Sequence, residues 1–206
     1  MQVFFSVYGE GMASNESRRI SDLETLKAFG HPLRMKLYRA LYISRKATAS
    51  QLAEQVDEAV SLVSYHLRKL ADHGLIEEAE QQGKDGRERW WQPASKGLNV
   101  HAEDFSDAPE KVATHTAIGR LSFDQHVELY RSYIDSAQSW SLEWRSAASG
   151  SEYLARLTAD ELAALSREVH ELIDRYEELG RARDEAGDTE GRENVAMHLY
   201  AFPFRT

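Results

Sequence analysis

Four residues in one short segment carry the chemistry that most constrains what this chain can do. Ser61, Ser64, Tyr65 and Arg68 recur at i, i+3, i+4 and i+7, so a helix gathers them on one face. Val60, Val63, Leu67 and Leu70 fall on a separate, apolar face of the same helix. Small hydroxyls permit close approach, a guanidinium donates to guanine or phosphate, and a tyrosine offers both a ring and a hydroxyl. That is the chemistry of binding rather than of turnover. The chain has no cysteine, which excludes a disulfide framework, a thiolate nucleophile and a thiolate metal site. His126 with Glu128, and His170 with Glu171, lack metalloprotease spacing, and no Gly-rich phosphate loop or nucleophile elbow is present. The histidines at 101, 115, 126, 170 and 198 are scattered without paired spacing. No catalytic residue, metal ligand or cofactor is expected, and the chain reads as a non-enzyme.

The surrounding elements fit that binding face. Ser50 to Val56 predicts a short helix with Leu52, Ala53 and Val56 inward, Asp57-Glu58-Ala59 a brief turn, and Val60 to His73 a helix stopped by Gly74. A helix, a tight turn and a second helix with a small, polar and basic outer face is what insertion into a major groove requires. Leu75 and Ile76 open a strand, Gly83-Lys84-Asp85-Gly86 is a turn, and Arg87 to Gln92 returns as a second strand ended by Pro93. Such a hairpin is a wing, whose Lys84, Arg87 and Arg89 can reach phosphates or the adjacent minor groove. Alternation puts Arg87, Arg89 and Trp91 on one face of it and Glu88 and Trp90 on the other. Upstream, Ile20, Leu23 and Leu26 predict a helix closed by Gly30. His31-Pro32 opens another, with Leu33, Leu37, Ala40 and Leu41 buried and Arg34, Lys36 and Arg39 forming a basic outer surface.

Charge supports this division. The formal net charge is −9, yet residues 18–97 hold 14 Lys+Arg against 11 Asp+Glu, while residues 98–206 hold 11 against 21. A modestly basic segment followed by a strongly acidic one is the pattern of a chain with one part built for a polyanion. No run approaches the roughly 18 apolar residues of a spanning helix, so no membrane partner is expected. Residues 1–17 read as an extension without function: Val3 to Tyr8 is apolar but lacks a basic leader, and Met12 is a possible alternative start.

The run Leu26-Lys27-Ala28-Phe29-Gly30-His31-Pro32-Leu33-Arg34 resembles the opening of ArsR-type winged helix-turn-helix regulators. Ala53-Glu54, Val63 to Leu70, His73-Gly74-Leu75-Ile76 and Gly86 to Trp91 continue the match across residues 20–97. The resemblance implies a homodimeric transcriptional regulator, usually a repressor, on an inverted-repeat operator. It places Ser61, Ser64, Tyr65, His66 and Arg68 on the recognition helix, and Lys69 lies in the same matched run. His66 and His73 read as packing or phosphate-contacting residues rather than metal ligands. The family's metal sensors carry paired cysteines on the first helix of the motif, where this chain reads Gln51-Leu52-Ala53-Glu54-Gln55-Val56, so thiolate sensing of soft metals is excluded.

Residues 98–120 read as a linker, with a short helix after Pro109. Ser122-Phe123-Asp124-Gln125 has the form of a capping box, opening a helix to about Ala147. Thr158-Ala159-Asp160-Glu161 is a second box, opening a helix with Leu162, Leu165, Val169, Leu172, Tyr176 and Leu179 in a heptad-like seam ended by Gly180. Such a seam fits helix-on-helix packing within a chain or across a dimer axis. Residues 153–157 and 195–202 read as strands. Tyr130, Tyr133, Trp140, Trp144 and Tyr200, with Tyr153 and Phe202, either line a pocket for a small organic effector or form ordinary core.

The expected architecture is therefore mainly α with small β. An extension (1–17) precedes a winged helix-turn-helix (18–97), a linker (98–120) and a helical or α+β dimerisation or effector domain (121–206). The expected function is sequence-specific binding of double-stranded DNA by a cytoplasmic homodimer. The alternative from another class is a winged-helix protein–protein module that does not bind DNA.

Overall fold

A computed structural model describes residues 2–6, 17–80 and 88–205, the first of these as strand backbone. The chain divides into two compact units, Met1–Glu128 and Leu129–Thr206.

The first unit contains β1 (Gln2–Ser6), β2 (Arg18–Ile20), α1 (Leu23–Phe29), α2 (Pro32–Ser44), β3 (Ala47–Thr48), α3 (Ala49–Val56), α4 (Val60–Asp72), β4 (Ile76–Glu78), β5 (Trp90–Pro93) and β6 (Gly97–His101). A 3-10 turn (Ala102–Phe105) then leads into α5 (Pro109–Ser136). Side-chain caps set the helix starts, each meeting an amide that the helix leaves without a partner. Asp22 accepts from the Thr25 amide at 2.7 Å, and Thr48 and Gln51 close a capping box at the head of α3. The inward faces of the helices meet in one core, where Leu26, Leu37, Leu41, Leu52, Leu67 and Leu70 are all fully shielded. Each such leucine contributes about 1.5–3 kcal/mol of burial.

Two three-stranded sheets frame this core. One has the order β3-β5-β4, with both pairings antiparallel, so the wing hairpin gains a third strand from the short segment before α3. The other has the order β1-β6-β2, with both outer strands parallel to β6. Here the structure corrects several sequence expectations. Ile20 belongs to a strand rather than to the first helix, because its backbone pairs with Val100 of β6. Residues 2–6 are not an idle extension but a strand on β6. Residues 98–120 are not a linker: Leu98, Val100, Phe105 and Ile118 are core, and every residue of β6 is buried. Pro93 lies within β5 rather than after it.

Ser122 does not cap a helix. It sits buried within α5, which is already running from Pro109, and His115, Ile118 and Ser122 form its inward stripe. Ile118 packs onto the junction between α1 and α2, where a Cβ added to Gly30 would lie 2.5 Å from its Cδ1 atom. Any larger residue at position 30 would force the Ile118 side chain to move.

The second unit is helical. After the last turns of α5 come a 3-10 turn (Ala137–Ser139), α6 (Leu142–Ala147) and α7 (Ala159–Glu185). The helix expected to reach Ala147 breaks after Ser136 and restarts when Ser141 caps α6. The capping box at Thr158 forms as read: Glu161 accepts the Thr158 amide at 2.7 Å, and Thr158 accepts the Glu161 amide at 3.2 Å. Gly180 does not end α7. Glycine inside a helix costs about 1 kcal/mol, and Arg181-Ala182-Arg183 carry the helix on until Gly187 turns the chain at φ +74°. Residues 153–157 and 195–202 are not strands, so the unit is helical rather than α+β.

Replacing Gly30 by alanine should destabilise the first unit by about 1–3 kcal/mol through overpacking against Ile118. In the Ile118→Ala background the clashing atoms are gone, so urea unfolding should show a smaller cost for Gly30→Ala there. Equal costs in both backgrounds would contradict the packing.

Candidate nucleic-acid interface

The orientation of α4 follows from its own sequence. Val63, Leu67 and Leu70 are buried to zero exposure. At 3.6 residues per turn, anchoring those positions turns Ser61, Tyr65 and Arg68 to solvent, with Ser64 half-buried at the margin. Val60 differs from the expectation: at the helix start it is 46% exposed and flanks the outer face. His66 is a correction as well. The residue is only 5% exposed and its ring centroid lies 4.5 Å from that of His31, so it belongs to the packed side of α4 rather than to the contact face.

The turn before α4 spans Asp57, Glu58 and Ala59, with Asp57 in the left-handed region at φ 55°. No side chain caps α4, and its first turn carries no acidic residue. The amides at that end are therefore compatible with a phosphate. At the other end Gly74 adopts φ +63° and reverses the chain toward the wing, while Arg18 donates to its carbonyl.

Arg68 donates to the Ser64 carbonyl of its own helix at 3.2 Å. Lys69 pairs with Asp72 at 3.3 Å. On the wing, Arg89 pairs with Glu78 at 3.1 Å and lies over the Trp91 ring, 5.6 Å from its centroid. Trp91 itself is buried, so the ring anchors the arginine to the core. Arg68 and Arg89 line one cleft, together with Asp72, Glu77, Glu78 and Trp91. The structure thus brings the helix arginine and the wing arginine together. The Arg89–Glu78 and Lys69–Asp72 pairs are exposed, each worth about 0–1 kcal/mol, so a phosphate can replace either carboxylate at little cost. Lys84 and Arg87 lie outside the described residues.

Two side chains play parts the sequence did not reveal. Arg34 is not part of a basic outer surface, because it donates to the carbonyls of Ala28 and Lys27 and so caps the C-terminal end of α1. Ser50, at the head of α3, donates to Glu88 at 2.7 Å and ties the motif to the wing. Ser50 and Glu88 are 38 residues apart, and the Arg34 contacts cross the break between α1 and α2, so helical spacing carries no sign of either.

The aromatics that read as either effector pocket or core, Tyr130, Tyr133, Trp140, Trp144 and Tyr200, are not core. No described residue from 129 onward is buried. Tyr130 stacks on Tyr133 at 6.3 Å, Trp140 meets Trp144 at 6.4 Å, and Tyr200 lies beside His198 at 6.5 Å. Each is a local pair within a single segment. Among the described residues no group of three acidic or histidine side chains could hold a metal ion, and no helix is long and apolar enough to cross a membrane.

A family model described as a helix-turn-helix domain matches residues 29–79, from the end of α1 through the first wing strand. Residues 29–79 are a helix-turn-helix domain. With β5 and β3 completing the second sheet, it is a winged one. Similar solved structures include the transcriptional repressor PagR of Bacillus anthracis, at 23% identity over 49% of this chain and 92% of that one, TM-score 0.31. A possible transcriptional regulator for arsenical resistance is 28% identical over 55% and 97%, TM-score 0.30. ZitR of Lactococcus lactis, solved in complex with DNA, is 15% identical over 65% and 73%, TM-score 0.27. No curated protein matches the chain.

Three buried or half-buried histidines should make the packing beneath α4 sensitive to acid. Burial holds His31, His66 and His115 below the ordinary histidine value, with Arg34 adding to the effect on the first two. His31 also accepts the Leu33 amide through Nδ1 at 3.2 Å, a bond that protonation of that nitrogen abolishes. With folded values below the unfolded one, near 6.5, stability is complete above that pH and is lost as pH falls through the folded values. Urea midpoints should therefore decline from pH 7.5 to 5.5. His31→Asn, which can cap without titrating, should flatten part of the decline; a constant midpoint in the wild-type chain would contradict this.

Proposed function

We propose that this chain is a sequence-specific DNA-binding transcriptional regulator, acting as a cytoplasmic homodimer on an inverted-repeat operator and repressing transcription from it. The observation that carries the reading is the presentation of Ser61, Ser64, Tyr65 and Arg68 by a helix whose opposite face is locked in the core. Each α4 enters a major groove, where Arg68 donates to a base edge and the serines permit close approach. Lys69 and Arg89 exchange their carboxylate partners for phosphates, and Lys84 and Arg87 extend the wing contact along the backbone. Two copies read two half-sites separated by about one helical turn or a multiple of it.

Substitutions separate the roles. On a duplex carrying a selected site, Arg68→Ala should cost roughly 1–3 kcal/mol and relax the preference at one base position. Arg89→Ala should weaken all duplexes alike and lower the slope of log K against log salt by about 1. Anisotropy titrations over a range of salt measure both. Unchanged affinity in the two variants would remove the α4 face and the wing from the interface.

A further inference from the structure

Four of the six residues in the seam of α7 lie open, while Leu162 and Val169 are half-buried. Leu165, Leu172 and Leu179 are each 44–46% exposed and Tyr176 is 65% exposed, and no described residue of this unit is buried. A seam with spacings of 3, 4, 3, 4 and 3 is the pattern of two helices packed side by side. In heptad terms Leu162, Val169 and Tyr176 occupy a, and Leu165, Leu172 and Leu179 occupy d. The flanking positions then decide orientation. Glu161, Glu168 and Arg175 occupy g, whereas Ser166, Ile173 and Gly180 occupy e.

A parallel pair sets g against e of the other helix and brings Glu168 to Ile173 and Arg175 to Gly180, with no opposite charges meeting. An antiparallel pair sets g against g. Its layers match throughout: Leu162 meets Leu179 of the second copy, Leu165 meets Tyr176, and Val169 meets Leu172. In that register Glu168 of each copy lies about 3 Å along the axis from the level of Arg175 of the other, and the two-fold axis produces this pair twice. Glu168 and Arg175 are both exposed and available for it. The two helix dipoles also oppose each other.

We propose that α7 pairs with α7 of a second copy of this chain in an antiparallel, two-fold helix pair held in register by reciprocal Glu168–Arg175 contacts. This rests on the homodimer reading above and names the surface that forms it. The occupant is a second copy because the charge pattern is complementary to itself, as a two-fold contact demands.

Sedimentation equilibrium of the full chain tests it. Glu168→Arg alone and Arg175→Glu alone each replace two attractive contacts with two repulsive ones and should raise the dimer dissociation constant roughly tenfold. An equimolar mixture of those two variants, and the doubly substituted chain, should both return to the wild-type value. Because the chain has no cysteine, introduced thiols report orientation directly. Leu165→Cys mixed with Tyr176→Cys should give a mixed disulfide, while Leu165→Cys alone should give none, its copies being about 16 Å apart along the axis. A monomeric wild-type chain would overturn the homodimer reading itself. A wild-type dimer that is indifferent to both charge changes, or that crosslinks through Leu165→Cys alone, would overturn the antiparallel pairing and leave the homodimer reading standing.

Discussion

The rest of the molecule depends on how α4 is clamped. Val63, Leu67 and Leu70 enter a core built by leucines of α1, α2 and α3. Removing any one of these side chains would cost about 2–5 kcal/mol, far more than any outer-face contact contributes to folding. A helix held so strongly along one stripe cannot roll. Its outer residues therefore keep a fixed bearing, and fixed bearing is what a base-reading side chain needs. The polar face is free to be chosen for contact because the apolar face alone fixes the fold.

Other parts of the first unit serve that clamp. β6 pairs with β2, and the strand's return alongside the N-terminal segment places Leu98, Val100, Phe105 and Ile118 against the same core. Arg18 on β2 reaches the carbonyl of Gly74, where α4 hands over to the wing. Trp91 anchors the wing from beneath, and the same ring carries Arg89. The helix arginine and the wing arginine are thus mounted on one rigid piece, although 21 residues separate them in the chain.

Much of this was legible in the residues. Period 3.6 in α2, α3 and α4, the Thr158 capping box and the Gly74 stop all act locally, so spacing reveals them. The missed strands share a cause, which is long-range pairing. β2 and β6 are short and become strands only through each other, so Ile20 looked helical and 98–120 looked like a linker. Ser122 has the letters of a cap, but caps matter only where a helix begins, and α5 had begun at Pro109. His66 sits in the same motif as its exposed neighbours, and only the approach of His31 from α2 turns it inward. The aromatics from Tyr130 to Tyr200 were ambiguous between core and pocket, and none of them is buried. The acidity of residues 98–206 suits that region's exposed helix faces, while the face that meets DNA in this account is drawn from the basic segment.

The proposed contact of the outer face of α4 and the wing with duplex DNA can be measured. Selection of genomic fragments by the purified full chain at low salt, followed by hydroxyl-radical footprinting of the retained sequence, tests it most directly. The retained fragment should carry two related half-sites on one face of the duplex, their centres about one helical turn or a multiple of it apart. Retention of no fragment, even at low salt, would contradict it.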